Sequence, residues 1–252
     1  MTKSDVTTDA FLGGKLQITQ PADGFRASTD AVLLAAAVDA KSKDTVLDIG
    51  SGVGTSGLCV AFRTGVQLTA LEQQEAYANL ARENAVENKI EMQVICGDLF
   101  DTPAALKDQV FDHVITNPPF FEASDTVAPN DQSKAHAHVT DYALADWITQ
   151  SLKRLKQGGY FYIIMRAERL DEILSALSPS CGEIRILPIV ARAGQPAKRV
   201  IIRARKTSKA PLKLLAPFVM HLGAAHEADA DSYSPLASAV LRDGEKLDVN
   251  WA

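Results

Sequence analysis

Between residues 45 and 204, short apolar runs rich in β-branched residues alternate with longer stretches of helical periodicity, and few architectures accommodate that rhythm. The runs fall at 45–49, 66–71, 92–96, 111–116 and 160–165, with helical patterns at 55–63, 75–88, 142–155 and 169–177. Strands separated by helices must lie parallel, and parallel strands are buried on both faces, so they read as near-continuous apolar runs. The last two runs, 184–190 and 199–204, have only a short connection containing Gly194 and Pro196 between them, which predicts an antiparallel hairpin. The expected fold is α/β: a seven-stranded, mostly parallel sheet with an antiparallel terminal hairpin at one edge. A helix over 30–39, capped by Ser28 or Thr29, precedes the sheet, and Gly158-Gly159 is expected to stop the helix before the fifth strand. The organisation expected is an N-terminal extension and capping helix over 1–40, a main domain over 41–206, and a C-terminal extension over 207–252 whose acidic tail, 227–252, is expected to pack loosely.

Composition removes several classes. No apolar run approaches the ~20 residues of a membrane helix, and the first ten residues lack the apolar centre of a secretory signal. Three widely spaced cysteines (Cys59, Cys96, Cys181) fit neither a disulfide framework nor a zinc site, so no metal and a reducing, cytoplasmic setting are expected.

In an open parallel sheet, ligand binds beyond the carboxyl ends of the strands, so the loops there carry the function. The first strand runs into Asp48-Ile49-Gly50-Ser51-Gly52-Val53-Gly54, where alternate glycines let the backbone turn tightly and approach a ligand. The loop lacks the Gly-Lys-Ser/Thr of a nucleotide phosphate loop, and an acid at its entrance would repel pyrophosphate and attract a cation. Glu72 ends the second strand, where a carboxylate can accept ribose hydroxyl protons; Asp98, followed by Leu99, ends the third, where it can accept from an adenine amine. Together the three acids describe a pocket for an adenosine with a positively charged tail. After the fourth strand comes Asn117-Pro118-Pro119-Phe120, a rigid elbow whose acceptors suit the two protons of a planar amine, with Phe120 to stack on its ring.

These residues resemble the S-adenosylmethionine site of class I methyltransferases, which are Rossmann-like. The resemblance spans about residues 44–205. It implies S-adenosylmethionine as cofactor, with Asp48, Gly50, Gly52 and Gly54 beside its methionine end, Glu72 on the ribose, Asp98 with Leu99 at the adenine, and Asn117 also among the cofactor-binding residues. The Asn-Pro-Pro-Phe run resembles the motif of enzymes that methylate adenine N6, guanine N2, cytosine N4 or glutamine amide nitrogen, so it narrows the chemistry more than the substrate. Phe in place of the commoner Tyr keeps stacking and loses the hydroxyl. The segment 24–34, which holds Arg26, Thr29 and Asp30 and is expected to close over the cofactor, resembles that of bacterial tRNA(Val) adenine-N6 methyltransferases, as does Ala197-Lys198-Arg199-Val200. This implies transfer to adenine N6 in tRNA; rRNA guanine N2 and protein glutamine are the alternatives, and a non-enzymatic RNA-binding module is a third.

A formal charge of −5 would seem to argue against RNA, but stretch 184–226 holds nine bases and no acid. Lys198, Arg199, Arg203 and Arg205, with Lys134 in the polar stretch after the elbow, are the expected RNA contacts. Trp147 reads as core packing, His136 and His138 as surface, and a monomer is expected.

Overall fold

The computed structural model describes residues 5–119, 143–223, 232–247, 249 and 251. An antiparallel hairpin of β1 (Val6–Phe11) and β2 (Leu16–Pro21) comes first, then α1 (Thr29–Ala37). The main sheet is built from β3 (Thr45–Ile49), β4 (Gln67–Glu72), β5 (Met92–Cys96), β6 (Phe111–Thr116), β7 (Leu155–Arg166), β8 (Cys181–Val190) and β9 (Arg199–Lys206). Between them run α2 (Thr55–Thr64), α3 (Glu75–Glu87), the short α4 (Ala104–Lys107), α5 (Leu144–Lys153) and α6 (Leu170–Leu177). From one edge the order is β5, β4, β3, β6, β7, β9, β8, with β3 to β7 mutually parallel and β9 antiparallel between β7 and β8. Two strands absent from the sequence expectation, β10 (Lys213–Leu214) and β11 (Phe218–Val219), run parallel to β8 and cover its outer edge. The chain continues through α7 (Pro235–Ser238) and a π-helical turn, Ala239–Asp243. Among the described residues, no helix is long and apolar enough to cross a membrane.

The period of two along each strand divides the apolar residues between two cores. Val46, Ile115, Tyr162, Ile164 and Ile201 face α1, α2 and the C-terminal segments, while Leu47, Val114, Phe161, Ile163 and Ile202 face α5 and α6. Burial on both faces explains why these strands read as uninterrupted apolar runs.

Two expectations are corrected, and one element is added. Gly158-Gly159 does not end a helix: α5 stops at Lys153, where Lys206 Nζ donates to the carbonyls of Leu152 (2.6 Å) and Leu155 (2.8 Å). The glycines sit within β7 instead, in a bulge where Asp112 alone opposes residues 156–159; Gly158 has φ 75°, and a Cβ on Gly159 would lie 2.8 Å from the Asp112 carbonyl oxygen. The N-terminal region carries a hairpin, whose polar β1 hid the alternation that β2 shows at Leu16 and Ile18. The C-terminal part is packed: Leu247 N–H donates to the Ala36 carbonyl at 2.8 Å, and Leu247 and Trp251 are buried.

Candidate active site

The loop after β3 closes on its neighbour strand, with the N–H groups of Gly50 and Ser51 both donating to the Leu71 carbonyl (2.9 and 3.1 Å). Gly50, Gly52 and Gly54 have φ of 67°, 55° and 87°. At Gly50 space is limiting as well, since a Cβ would stand 3.0 Å from Trp147 Cζ2. Glu72, at the end of β4, spans the loop: Oε2 accepts from Gly52 N–H at 2.8 Å and Oε1 from Gln74 N–H at 2.9 Å. Burial pushes its pKa up against the opposing pull of these amides. Each oxygen keeps a further lone pair for a ligand hydroxyl. At the end of β5, Asp98 accepts from Phe100 N–H (2.9 Å) and Gln73 Nε2 (3.4 Å).

These loops wall a cleft of about 150 Å³. Ile49, Gly50 and Gly52 form one side and Leu71 to Gln74 the next, followed by Gly97, Asp98 and Leu99. Asn117, Pro119, Trp147 and Tyr77 complete the lining with Phe25, which is half exposed. The elbow is tied to the glycine loop by register. Ile49 pairs with Thr116, whose hydroxyl donates to the Ile49 carbonyl (2.9 Å) and accepts from the Trp147 indole N–H (3.0 Å). Asn117 thus opens beside Gly50 and Glu72. Phe120 and Lys134 lie outside the described residues.

Some expected site residues serve the fold around the cleft. Asp48 does not line it: its carboxylate, 2% exposed, accepts from Gly57 N–H at 2.8 Å in the first turn of α2. Burial is the main force raising its pKa to about 7. Gly54 is the N-cap of α2 and faces Met92 and Ala81. Arg26 is turned away, holding Asp9, Thr7 (2.8 Å) and the Pro21 carbonyl (2.7 Å), so it braces the hairpin. Thr29 begins α1, exposed and off the cleft wall.

The basic stretch is divided by topology. β9 runs against β7, so Arg199 pairs with Arg166 at the cleft edge of the sheet and Arg205 with Tyr160 at the opposite edge. Arg203 does not face solvent: 5% exposed, it lies between the Tyr160 and Trp251 rings (4.8 and 5.1 Å) and donates to Glu183 (3.0 Å) and the Trp251 carbonyl (2.8 Å). Arg205 also pairs with Glu183 (3.4 Å), and Arg199 with Asp30 (2.9 Å). Lys198 is exposed at the cleft edge.

Phe25, Tyr77 and Trp147 were missed as cleft residues. Trp147 occupies a core position and a wall position at once, and only its indole N–H, which needs a buried acceptor, hinted at the second role. The charge of Arg26 drew attention from its neighbour Phe25, whose N–H is held by the Tyr77 hydroxyl. The donor set fits an adenosine cofactor: acids Glu72 and Asp98, apolar Leu71 and Leu99, and a backbone wall at Gly50 and Gly52 without side chains. Among the described residues, no three His, Cys, Asp or Glu stand together as a metal site would require.

A family model described as methyltransferase small domain matches residues 26–187. The chain is 30% identical over 183 residues to the tRNA1(Val) (adenine(37)-N6)-methyltransferase of Actinobacillus pleuropneumoniae serotype 5b (strain L20), covering 71% of this chain and 75% of that one. It is 27% identical over 203 residues to the Haemophilus influenzae (strain PittGG) protein of the same name, covering 78% and 84%. A solved structure described as a predicted O-methyltransferase from Agrobacterium tumefaciens superposes with a TM-score of 0.67 at 27% identity, over 86% of this chain and 97% of that one. The T. thermophilus 16S rRNA N2 methyltransferase, solved with AdoMet and guanosine, shares the fold, with a TM-score of 0.55 at 19% identity over 80% and 50% of the two chains.

Proposed function

The chain belongs to the methyltransferase small domain family, and on that footing we propose that it transfers a methyl group from S-adenosylmethionine to the exocyclic N6 of an adenine in tRNA. The relatives named above support adenine 37 of tRNA1(Val) as the target. They favour neither rRNA guanine N2 nor a protein glutamine as the acceptor. A tRNA substrate puts the work in the cytoplasm.

The observation that carries the chemistry is the position of Asn117 and Pro119 in the same cleft as Gly50, Glu72 and Asp98. When bound, S-adenosylmethionine supplies an electrophilic methyl group on a sulfonium. Glu72 has lone pairs for ribose hydroxyl protons and Asp98 for an adenine amine. Two prolines fix the backbone after Asn117, so its amide and carbonyl oxygens are aimed before any substrate arrives. They accept the amine protons of the target base and turn the nitrogen lone pair into the cleft. Alignment of this kind contributes about 7–11 kcal/mol to lowering a barrier. The base must leave its stack to reach Asn117.

Incubation with labelled S-adenosylmethionine and unmodified tRNA, followed by nucleoside analysis, is expected to yield N6-methyladenosine. Label in N2-methylguanosine, in a ribose hydroxyl or in protein would overturn the reading. Asn117→Ala should bind the cofactor as the parent does by calorimetry, and should transfer at least about 100-fold more slowly.

A further inference from the structure

Among the described residues, positive charge near the cleft is scarce. Glu72 and Asp98 make its floor acidic, and the cations at the cleft edge of the sheet are mostly matched: Arg199 by Asp30 (2.9 Å), Arg166 by Glu168 (3.3 Å) and Arg169 by Glu172 (2.8 Å). The turn that joins β8 to β9, residues 191–198, differs. Lys198 is exposed there, and Arg192 donates to the carbonyls of Leu222 and Gly223 (3.2 Å), acceptors that leave its charge undiminished. Neither forms an ion pair with a carboxylate among the described residues.

Topology brings this turn to the reaction. β6 and β7 are parallel and β9 antiparallel, so the end of β6, the end of β7 and the start of β9 share one sheet edge. Asn117 follows the end of β6; β9 is two strand spacings away and β8 three, about 10–15 Å. That is the span of a few nucleotides from an adenine seated at Asn117. Apart from Arg199, which is matched by Asp30, the remaining bases of the acid-free stretch lie lower on the sheet or at its far edge. Arg185 is buried with its Nε on the Trp251 carbonyl, Arg203 and Arg205 share Glu183, and Lys206 caps α5.

We propose that the β8–β9 turn holds the RNA backbone, with Arg192 and Lys198 on phosphates of the nucleotides flanking the target adenine, and that the far-edge bases take no part. The assignment rests on the reading of tRNA as substrate. An acidic cleft cannot draw in a polyanion by itself, so the backbone is gripped beside the cleft while the base alone enters it. Arg192 was no part of the sequence expectation; it joins Lys198 because the hairpin returns to the same edge.

The test is the affinity for an unmodified tRNA transcript across a range of salt, read by fluorescence anisotropy. Lys198→Glu is expected to raise Kd about five- to tenfold and to lower the slope of log Kd against log salt by about one. Lys209→Glu, at the far edge, should change neither. Arg192→Gln should weaken binding and Arg192→Lys restore it, which separates lost charge from loss of the two carbonyl contacts. Cofactor affinity should stay unchanged throughout. Parental Kd and slope in Lys198→Glu, or equal weakening by Lys209→Glu, would overturn the assignment while leaving the substrate intact. A parent chain that forms no N6-methyladenosine in tRNA would instead sink the substrate reading, and this proposal with it.

Discussion

Asp48 and Glu72 differ in role, although both are acids near the ends of the adjacent strands β3 and β4 beside the glycine loop. Glu72 faces the cleft and is braced by two amides, whereas Asp48 faces inward against α2. Burial raises the Asp48 carboxyl from an ordinary 3.8 to about 7. A group whose pKa is raised by folding confers stability that is complete below its unfolded value and is lost as pH rises through its folded value. The window here is therefore about pH 4 to 7. Asp48→Asn keeps an acceptor for Gly57 N–H and cannot ionise. Urea unfolding should show the parent losing stability relative to Asp48→Asn between about pH 4 and pH 7. Parallel profiles would mean that Asp48 titrates normally in the folded chain.

At the scale of elements, the N-terminal hairpin owes its position to α3. Asn84, 1% exposed, accepts from Thr19 N–H (2.8 Å) and donates to the carbonyls of Thr19 (2.9 Å) and Val53 (3.0 Å). One side chain thus satisfies the edge of β2 and the glycine loop together. Asn88 repeats the pairing with Gln17 at 2.9 and 2.8 Å. Removing a buried partner leaves its backbone groups without hydrogen bonds, at about 1–3 kcal/mol. Asn84→Ala should lose that much unfolding free energy, with amide exchange accelerated in β2 before the central strands. If exchange rises evenly across the sheet, the hairpin is not an independent unit held by this contact. A helical period over α3 was legible, yet nothing in the local sequence said that Asn84 would be buried or which strand it would meet.

Over the whole molecule, the C-terminal segment closes the far edge of the sheet through Arg203, whose partners Glu183 and Trp251 lie 20 and 48 residues away. Taking one partner from a buried pair costs about 3–5 kcal/mol, while an exposed pair is worth at most about 1. Arg203→Ala should therefore lower Tm by many degrees and Arg205→Ala by few; equal shifts would show that Arg203 is not a buried anchor. The same residue shows where reading the chain linearly stops. The seven strands between residues 45 and 206, their parallel run with a terminal antiparallel hairpin, and the positions of the glycine loop and the Asn-Pro-Pro elbow after them were determined by the sequence alone. Period, apolar runs, glycines and prolines act within a few residues, and parallel strands bring their carboxyl ends to one edge by necessity. Which side a polar group faces was decided only by the tertiary structure. It turned Asp48 inward, brought Trp147 from the core to the cleft wall, and split one basic stretch between the two ends of the sheet. Charge and burial belong to what surrounds a side chain in space, and for these residues the surroundings come from distant parts of the chain.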